Sequence, residues 1–452
     1  MLWGMGNGGG SESSLQARES LDVLLGRLRD RSAKIAVLGQ GYVGLLLAMR
    51  ANEAGFPVVG LDTDSRRVAL LAEGNSYVED VPDDVLRAAL ANGYRPTDDP
   101  GELAGFDVAV ITVPTPLHEG LPDLRYIERA CESVGLALRP GALVVLESTT
   151  YPGTTDELVA PTLSQASGGL MPGEDFFLAY SPERIDPGNP NFNLSNTPKV
   201  IGGINAASLE AVEAFYGAFV GELVPVGSPA EAELTKLIEN TFRHVNIALV
   251  NELAVFAHDL GVDIWAALDA AATKPFGYMS FRPGPGVGGH CLPVDPSYLS
   301  WRVKRKLGET FRFVELANDV NEHMPTYVVH RIQAMLNQDS LSVKGAHILV
   351  LGLAYKPGTS DARETPSLPV IDGLLELGAT IAAADPYVDM IDLDKRVERV
   401  QADGESLKRA DLVLILTDHP DFDYDLIERE AQRIFDTRNC LRHSTDPKIE
   451  RL

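Results

Sequence analysis

The residue best suited to chemistry in this sequence is a cysteine at the end of a glycine-rich segment. Cys291 follows Phe281-Arg-Pro-Gly-Pro-Gly-Val-Gly-Gly-His, and Asp295 comes four residues later. Glycine side chains occupy no space, so other groups can approach the sulfur closely, which is an unusual setting for a cysteine that only packs. The segment therefore predicts a reactive thiol. Because adjacent residues seldom face each other, we expect His290 to be backbone-bonded or solvent-facing rather than paired with Cys291.

A polar stripe crosses an otherwise apolar helical pattern. Lys236, Asn240 and Arg243 are separated by four and three residues, which places them on one face of a helix. A solvated helix face is one interpretation of this stripe. The other is a lysine held in a cleft, where burial or cationic neighbours lower its pKa into a range useful for proton transfer.

A glycine motif with a defined context occurs near the start of the chain. Gly39-Gln-Gly41-Tyr42-Val43-Gly44 follows a strand pattern and opens a helix pattern, and Asp62 closes the next strand about 20 residues later. This context is typical of a dinucleotide site, in which the pyrophosphate lies on the helix N-terminus. Asp62 would bind the ribose hydroxyls and repel a 2′-phosphate, which favours NAD over NADP. Arg66 and Arg67 weaken that preference, since an arginine there could bind a phosphate.

A second loop with cations follows a strand near the C-terminus. It reads Leu353-Ala-Tyr355-Lys356-Pro-Gly-Thr-Ser-Asp361-Ala-Arg363. Ligands bind at the carboxyl ends of parallel strands, and backbone donors beside Gly358 could reach phosphate oxygens. The alternative is a loop with ordinary surface charges.

Three shorter connections also follow strands and carry polar groups. They are Val113-Pro-Thr115-Pro, Glu147-Ser-Thr149-Thr-Tyr-Pro-Gly-Thr-Thr and Ser181-Pro-Glu183-Arg184. Their hydroxyl and charged groups could contact a bound ligand. Helix N-capping explains the serines and threonines about as well.

The elements that must position these groups alternate between strands and helices. A helix is predicted through Ser20–Asp30, followed by strands at 33–38, 57–62, 108–113, 142–147 and 176–180. From Ala232 to about Gly261 the pattern is helical for close to 30 residues, and helix continues to about Asp269 and again after Ser297. Strands return at 347–353, 380–384, 412–416 and 433–436.

This order predicts an α/β protein with two Rossmann-like, doubly wound domains joined by a central helical domain with one long helix. The predicted divisions are a flexible leader with a short helix at 1–32, an NAD-binding domain at 33–230, a helical domain at 231–335 and a ligand-binding domain at 336–452. The long helix suggests a homodimer or a larger homo-oligomer.

Composition narrows the possible partners and compartments. The 452 residues carry a net charge of −25, which repels the phosphates of nucleic acids and anionic lipids. The three cysteines are far apart and form no metal-binding pattern, so no metal and no disulfide framework is predicted, and a reducing cytoplasm is expected. We expect Cys131 to be a core residue, whereas Cys440 is ambiguous. No apolar run is long enough for a membrane span.

Together these motifs resemble the UDP-glucose/GDP-mannose dehydrogenase family from Lys34 to about Leu441. The nucleotide fingerprint, the Lys236/Asn240 helix, the cysteine segment and the Lys356/Arg363 loop occur in the order found in that family. The resemblance implies oxidation of the C6 alcohol of a nucleotide sugar to a uronic acid, with two NAD⁺, for surface polysaccharide precursors.

The resemblance also implies roles for individual residues. Cys291 would be the nucleophile, Lys236 the proton donor or acceptor and oxyanion partner, and Asp295 would orient the lysine or a water. The other implied catalytic residues are Asn240, Glu183 and Thr149. The implied cofactor-binding residues are Gly39, Gly41, Tyr42, Val43, Gly44, Asp62, Arg67, Thr115, Thr149 and Arg363. The implied substrate-binding residues are Glu183, Arg184, Ile185, Lys236, Asn240, Arg243, Gly286, Tyr355 and Lys356.

The residues within these motifs are more similar to those of the family members that act on UDP-N-acetylhexosamines. Glu147-Ser-Thr-Thr-Tyr-Pro-Gly and Lys274-Pro-Phe-Gly carry this likeness, and Val294 stands where the UDP-glucose type usually has a lysine. The resemblance therefore favours UDP-N-acetylglucosamine as the substrate, with UDP-N-acetylmannosamine and UDP-glucose as alternatives. A two-electron 3-hydroxyacid-type dehydrogenase and a non-catalytic NAD sensor are the other hypotheses.

Overall fold

The computed structural model describes residues 9–118, 120–186, 189, 191–289, 291–388 and 393–452. Its side chains are described from Ala17 onwards, except for that of Cys291. The chain divides into two compact units, residues 1–238 and 239–452, and the division falls within one long helix. Each unit is described separately below.

Helices account for much of the described chain. A 3₁₀ turn spans Pro100–Leu103, and a π-helical turn spans Thr155–Val159. The α-helices are α1 Gly9–Asp30, α2 Tyr42–Glu53, α3 Ser65–Ala72, α4 Asp83–Ala91, α5 Arg125–Ala137, α6 Ala160–Ala166, α7 Ala206–Tyr216, α8 Pro229–Asp259, α9 Ile264–Ala272, α10 Cys291–Leu307, α11 Arg312–Gln338, α12 Ser367–Glu376, α13 Gly404–Arg409 and α14 Tyr424–Glu430.

The strands fall into two large sheets and one small hairpin. The strands are β1 Ile35–Leu38, β2 Val58–Leu61, β3 Tyr94–Thr97, β4 Val108–Ile111, β5 Leu117–His118, β6 Leu121–Pro122, β7 Leu143–Leu146, β8 Phe177–Tyr180, β9 Lys199–Gly203, β10 Leu223–Val226, β11 His347–Leu351, β12 Thr380–Ala384, β13 Glu398–Arg399, β14 Leu412–Ile415, β15 Ile434–Asp436 and β16 Ile449–Arg451.

The first unit contains an eight-stranded sheet in the order β10-β9-β8-β7-β4-β1-β2-β3. Alternate residues of β1 belong to different cores: Val37 packs with α1, α2 and α7, whereas Leu38 packs with α5 and α6. Helices therefore cover both faces, which confirms the doubly wound fold. The pairing of β8 with β9 is antiparallel, with Tyr180 opposite Gly202, and departs from the fully parallel sheet that we predicted.

The second unit contains a six-stranded sheet in the order β13-β12-β11-β14-β15-β16, with every pair parallel. It too is covered on both faces, since Val350 packs with α11 and α12 and Leu351 packs with α13 and α14. Two Rossmann-like sheets and a helical region between them agree with the predicted architecture.

The predicted starts of two helices and the predicted set of strands need correction. The first helix begins at Gly9, so residues 9–14, which we assigned to a flexible leader, lie in α1; no proline interrupts them. Helix α10 begins at Cys291 rather than after Ser297, and it accommodates Pro296 in its second turn, where a proline removes one intrahelical hydrogen bond. Strands β3 and β10 were missed because each contains a proline, which an edge strand tolerates. Five further strands were also not predicted: β5, β6, β9, β13 and β16.

The long helix is confirmed as α8, which has 31 residues. Ala232 joins the core of the first unit, and Val250 and Ala254 join the core of the second. No helix in the described part of the chain is both long enough and apolar enough to span a membrane.

Candidate active site

The glycine motif between β1 and α2 forms the tight turn that the sequence predicts. Gly39 has φ +90°, and a Cβ on it would lie 2.8 Å from the carbonyl oxygen of Thr112. A Cβ on Gly44 would lie 1.8 Å from the carbonyl oxygen of Gly39, so only glycine lets α2 start this close to the turn. A Cβ on Gly41 would meet no atom within 4 Å. This open space beside the N-terminus of α2, which begins at Tyr42, suits a pyrophosphate.

The carboxylate at the end of β2 is fixed against this turn. Asp62 is buried, and it accepts hydrogen bonds from Gln40 N at 2.8 Å and Asp64 N at 2.9 Å. A carboxylate has about four acceptor positions, so lone pairs remain for ribose hydroxyls. Arg67 lies 3.8 Å from Asp62, and Arg66 pairs with Asp64, so both arginines lie beside carboxylates. The turn and Asp62 together fit the adenosine half of NAD.

Gln40 is a functional residue that the sequence analysis missed. Its side chain is completely buried, and its Nε2 donates to Val37 O at 2.9 Å. The hydroxyls of Tyr77 and Tyr94 donate to its backbone and side-chain oxygens. Gln40 thereby anchors the turn to the sheet. Its position between the two glycines of the motif is the only signal that could have marked it.

Two connections that we predicted to contact a ligand lie at the carboxyl ends of β4 and β7. Thr115 is buried and Thr149 is half-buried. The hydroxyl of Ser148 donates to Val113 O at 2.7 Å and holds the two connections together. Both threonines therefore lie at the edge of the sheet where ligands bind in this fold class.

A buried carboxylate on α8 supports the connection that carries Thr149. Glu233 accepts from Gly153 N at 2.5 Å and from the backbone and hydroxyl of Thr155 at 2.9 and 2.7 Å. Burial raises the pKa of Glu233 to about 7, against the lowering effect of the bonds from Thr155 and Gly153. The sequence analysis missed Glu233, although a carboxylate between Ala232 and Leu234 in an apolar helix was a usable signal.

Two predicted catalytic residues meet in the first unit. The Lys236 ammonium on α8 donates to the carbonyl oxygen of Glu183, and both residues are buried. The Glu183 carboxylate folds back on its own loop, because its Oε1 accepts from Arg184 N at 2.7 Å and Ile185 N at 2.6 Å. The Arg184 guanidinium in turn donates to Pro198 O at 2.6 Å. Lys236 is therefore buried and does not lie on a solvated helix face.

One turn further along α8, a second pair of predicted residues is joined in the second unit. Asn240 Nδ2 donates to Asp295 Oδ2 at 2.6 Å, and both side chains are buried. Asp295 lies in the first turns of α10. Arg243, by contrast, is exposed, so the stripe that we predicted is buried only at Lys236 and Asn240.

The glycine-rich segment is pressed against the loop that follows β11. Gly286 has φ +135°, and a Cβ on it would lie 3.1 Å from Pro366. A Cβ on Gly288 would lie 2.7 Å from the Cβ of Tyr355, which leaves no room for any other residue. The group that lies against these glycines is the 355–366 loop, and the predicted approach to the Cys291 sulfur stays a prediction. Two motifs that are some 70 residues apart therefore form one surface in the second unit.

The cations of that loop have different surroundings. Lys356 is half-buried, with its ammonium 5.9 Å from the centre of the Tyr355 ring. Arg363 is exposed and pairs with Asp361 through two hydrogen bonds of 2.9 and 2.6 Å. The structure places Tyr355 against the glycine-rich segment, and the carbonyl oxygen of Arg363 accepts from Gly289 N at 3.1 Å, whereas the Arg363 side chain points to Asp361.

The three cysteines occupy different kinds of position. Cys291 is the first residue of α10, and its side chain is not among those that the structure describes. His290 lies outside the described residues, so our prediction for it stays a prediction. Cys131 is fully buried, and burial raises the pKa of its thiol to about 12, as expected of a core residue. Cys440 is half-buried, and burial raises the pKa of its thiol as well.

A buried Asp–His pair supports the start of the Lys356 loop. Asp385 Oδ2 accepts from Leu353 N at 2.6 Å, Ala354 N at 3.2 Å and His419 Nε2 at 3.0 Å. His419 Nδ1 accepts from Gly358 N at 3.2 Å, so its two contacts are satisfied by the neutral ring with a proton on Nε2. The pair holds both ends of residues 353–358. Neither residue was predicted, because nothing in the chain marks them as partners.

A chain of buried amides supports the glycine-rich segment from the other side. Asn251 on α8 accepts from Gly284 N at 2.9 Å and donates to Asn321 at 2.9 Å. Asn321 on α11 in turn contacts the ring of His244 at 3.4 Å. Both asparagines interrupt apolar helical patterns, which was the available signal. The segment before Cys291 is therefore fixed by side chains of two long helices.

Known proteins match this chain along most of its length. Residues 33–220, 230–323 and 349–443 match, in that order, the NAD binding, central and UDP binding domains of the UDP-glucose/GDP-mannose dehydrogenase family.

Individual relatives match at similar levels of identity. A protein of Pyrococcus horikoshii named UDP-N-acetyl-D-mannosamine dehydrogenase is 37% identical over 90% of this chain and 96% of its own. The UDP-N-acetyl-D-glucosamine 6-dehydrogenase of Pseudomonas aeruginosa is 37% identical over 80% of this chain and 85% of its own. The solved structure of UDP-D-ManNAc dehydrogenase from Pyrococcus horikoshii superposes with a TM-score of 0.82 at 36% identity, covering 90% of this chain and 95% of its own.

Proposed function

Because this chain belongs to the UDP-glucose/GDP-mannose dehydrogenase family, we propose that it oxidises the C6 alcohol of a UDP-N-acetylhexosamine to the uronic acid. Family membership confirms the resemblance that the four motifs predicted, together with NAD as the cofactor. UDP-N-acetylglucosamine is the substrate that we propose. The named relatives include enzymes for this sugar and for its mannosamine epimer, which supports the N-acetylhexosamine class.

One observation carries this proposal. Helix α8 presents Lys236 and Asn240 one turn apart, and each is buried against another residue that the chemistry requires, Glu183 and Asp295 respectively. A buried ammonium and a buried amide one helical turn apart are suited to donating hydrogen bonds to an oxygen that becomes negative during a reaction. Such a donor stabilises an oxyanion by ~3–4 kcal/mol.

The oxidation has two stages, and NAD⁺ supplies the chemistry of each by accepting two electrons and a proton from the substrate carbon. We propose that the Cys291 thiolate adds to the C6 aldehyde left by the first stage, forming a carbon–sulfur bond and a thiohemiacetal that cannot escape. The second stage leaves a thioester, and water then breaks the carbon–sulfur bond to release the carboxylate and the thiol. Lys236 and Asn240 hold the oxygen in each state, and Asp295 fixes the Asn240 amide.

The test is to supply UDP-N-acetylglucosamine, UDP-N-acetylmannosamine, UDP-glucose and UDP-galactose separately with NAD⁺ and to follow the absorbance of NADH. We expect the fastest turnover with the first and two NADH for each uronate formed. One NADH per substrate would point to a two-electron dehydrogenase. NAD binding without turnover of any UDP-sugar would point to a sensor.

The role of the cysteine is tested with matched variants. We expect Cys291→Ala to bind NAD but to lose steady formation of uronate. Cys440→Ala, which removes another thiol of the second unit, should turn over like the wild type. Unchanged turnover in Cys291→Ala would refute the nucleophile assignment.

We propose further that the chain forms a homodimer through α8. Large apolar side chains recur along this helix at intervals of three, four or seven residues and are more than 40% exposed in the single chain. These residues are Ile238, Phe242, Leu249, Leu253 and Phe256. Such a stripe is typical of helix pairing. Light scattering should give twice the chain mass for the wild type and the single mass for Leu249→Glu.

A further inference from the structure

A buried lysine outside the predicted site lies against one of its carboxylates. Lys199, the first residue of β9, has a side chain that is 4% exposed. Its ammonium forms an ion pair with Glu147 and lies 3.9 Å from Glu183 Oε2. The sequence analysis assigned Lys199 no role. Charged side chains are rarely buried unless they are paired, so this position needs an explanation.

The reversed direction of β9 is what brings Lys199 to this edge. Because β9 runs antiparallel to β8, it begins where β7 and β8 end. Continuing the register of Tyr180 with Gly202 by three residues places Lys199 opposite Glu183. In a fully parallel sheet the first residue of β9 would lie at the opposite edge, away from the ligand-binding side.

The contacts of Glu183 divide its two carboxylate oxygens between different donors. Oε1 accepts from Arg184 N and Ile185 N, whereas Oε2 faces the Lys199 ammonium. The ammonium of Lys236 donates to the backbone carbonyl of Glu183, not to its carboxylate. The cation that faces the carboxylate of Glu183 is therefore Lys199.

Lys199 is itself held in place from behind. Its ammonium lies 4.7 Å from the centre of the Tyr216 ring, and the Tyr216 hydroxyl donates to Glu147 Oε2 at 3.2 Å. Burial raises the pKa of Glu147, an effect that Lys199 opposes and Glu183 reinforces. The charged groups around Glu183 are thus Lys199 and Glu147 on the sheet side and Lys236 on α8, with Tyr216 on α7.

We propose that Lys199, anchored by Glu147 and Tyr216, is a positioning residue that orients the Glu183 carboxylate at the active-site edge of the sheet. The inference rests on the proposed function, which places Glu183 in the site. Without the Lys199 ammonium, Glu183 Oε2 would lose the cation that faces it, and the carboxylate would be free to turn away. A displacement of about 1 Å of a group at the reacting centre can lower the rate by about 10²-fold.

The test separates this role from a purely structural ion pair. Lys199→Met leaves Glu147 charged without its partner and is expected to unfold readily. The double variant Lys199→Met/Glu147→Gln removes both charges and is expected to fold. In this double variant, kcat should fall by about tenfold or more while KM for NAD⁺ stays within about twofold of the wild type, because the Glu183 carboxylate loses its orientation but the nucleotide site is untouched. Glu147→Gln alone leaves the Lys199 ammonium facing Glu183, so its kcat should fall less than that of the double variant.

Rescue by a conservative variant separates the role of Lys199 from a purely structural one. Lys199→Arg keeps a cation beside Glu147 and Glu183 and should retain more of the wild-type kcat than the double variant. Lys34→Met, which removes a cation that donates to Glu102 O and Ala104 O, is the control for net charge and should leave kcat unchanged.

The outcomes distinguish the two proposals. A folded double variant with the kcat of the wild type overturns the role of Lys199. If the wild type forms one NADH per substrate and kcat still falls in the double variant, the role of Lys199 stands and the proposed function falls. If the wild type forms two NADH per UDP-sugar and kcat is unchanged in the double variant, the proposed function stands and the inference falls. A wild type that oxidises no UDP-sugar overturns both.

Discussion

Replacing Asp385 by asparagine should destabilise the second unit strongly at neutral pH. The carboxylate accepts five hydrogen bonds: three at Oδ2, and two at Oδ1 from Tyr387 N at 2.8 Å and Val388 N at 2.9 Å. An asparagine has only one acceptor oxygen, so either orientation points its NH₂ group at two or more N–H donors. Losing two charge-assisted bonds at ~1.5–3 kcal/mol each gives a loss of about 3–6 kcal/mol.

The pH dependence of this loss follows from the pKa of Asp385. Burial acts to raise the pKa, but the hydrogen bonds from His419, Leu353, Tyr387 and Val388 outweigh it and hold the pKa well below its usual range. The carboxylate therefore contributes stability above the unfolded pKa of about 3.9, and this contribution is lost as the pH falls through the folded value. The difference between the wild type and Asp385→Asn should shrink below about pH 4.

The assay is urea unfolding of the wild type and Asp385→Asn at pH 7 and at several values below pH 4. Asp394→Asn, at a half-buried aspartate paired with the exposed Arg396, is the matched control and should unfold like the wild type. Because Leu353 and Ala354 lead into Tyr355 and Lys356, Asp385→Asn should also weaken UDP-sugar binding while NAD binding stays unchanged. Equal urea midpoints at pH 7, or a difference that widens below pH 4, would refute the reasoning.

Three further predictions concern the first unit and α8. Because the pKa of Glu233 is raised, its protonated form contributes stability that is complete below about pH 4.5 and is lost as the pH rises through 7. The free energy of unfolding of Glu233→Gln, measured in urea, should therefore rise relative to that of the wild type by about 3 kcal/mol between pH 4.5 and pH 8. Asn240→Ala should lower kcat by ~10²–10³ in NADH assays with little change in NAD affinity, since an oxyanion donor is lost. Gly44→Ala should weaken NAD binding about tenfold or more in fluorescence titrations, because its Cβ would lie 1.8 Å from Gly39 O.

Each of these predictions has a control and a contradicting outcome. Glu231→Gln, at an exposed carboxylate on the same helix, should show no such pH trend, and a trend shared by both variants would argue against Glu233 as its source. Gly26→Ala adds a methyl group where no atom lies within 4 Å and should leave NAD binding intact. Wild-type kcat in Asn240→Ala, or wild-type NAD affinity in Gly44→Ala, would contradict the corresponding assignment.

The parts of the site that could be predicted are those in which the chemistry is local in the chain. The turn from Gly39 to Gly44 and the carboxylate of Asp62 lie within one strand–helix–strand unit, so spacing alone relates them. Lys236 and Asn240 share one helix, whose period fixes their face. The relative positions of these residues are determined by chain segments that are close in sequence.

The parts that could not be predicted depend on contacts between distant residues. Glu233 reaches Gly153 across 80 residues, and His419 reaches Asp385 across 34. Only the packed sheets bring these groups together. The antiparallel direction of β9, and with it the placement of Lys199, depends on a strand whose short sequence carries no sign of its orientation.

The contact between the glycine-rich segment and the Tyr355 loop has an evolutionary consequence. With so little space between Gly288 and Tyr355, neither segment can gain bulk or change length while the other stays as it is. Substitutions accepted in one stretch should therefore be accompanied, in the same lineage, by compensating changes in the other. The two segments would therefore change together during evolution, although they are far apart in the sequence.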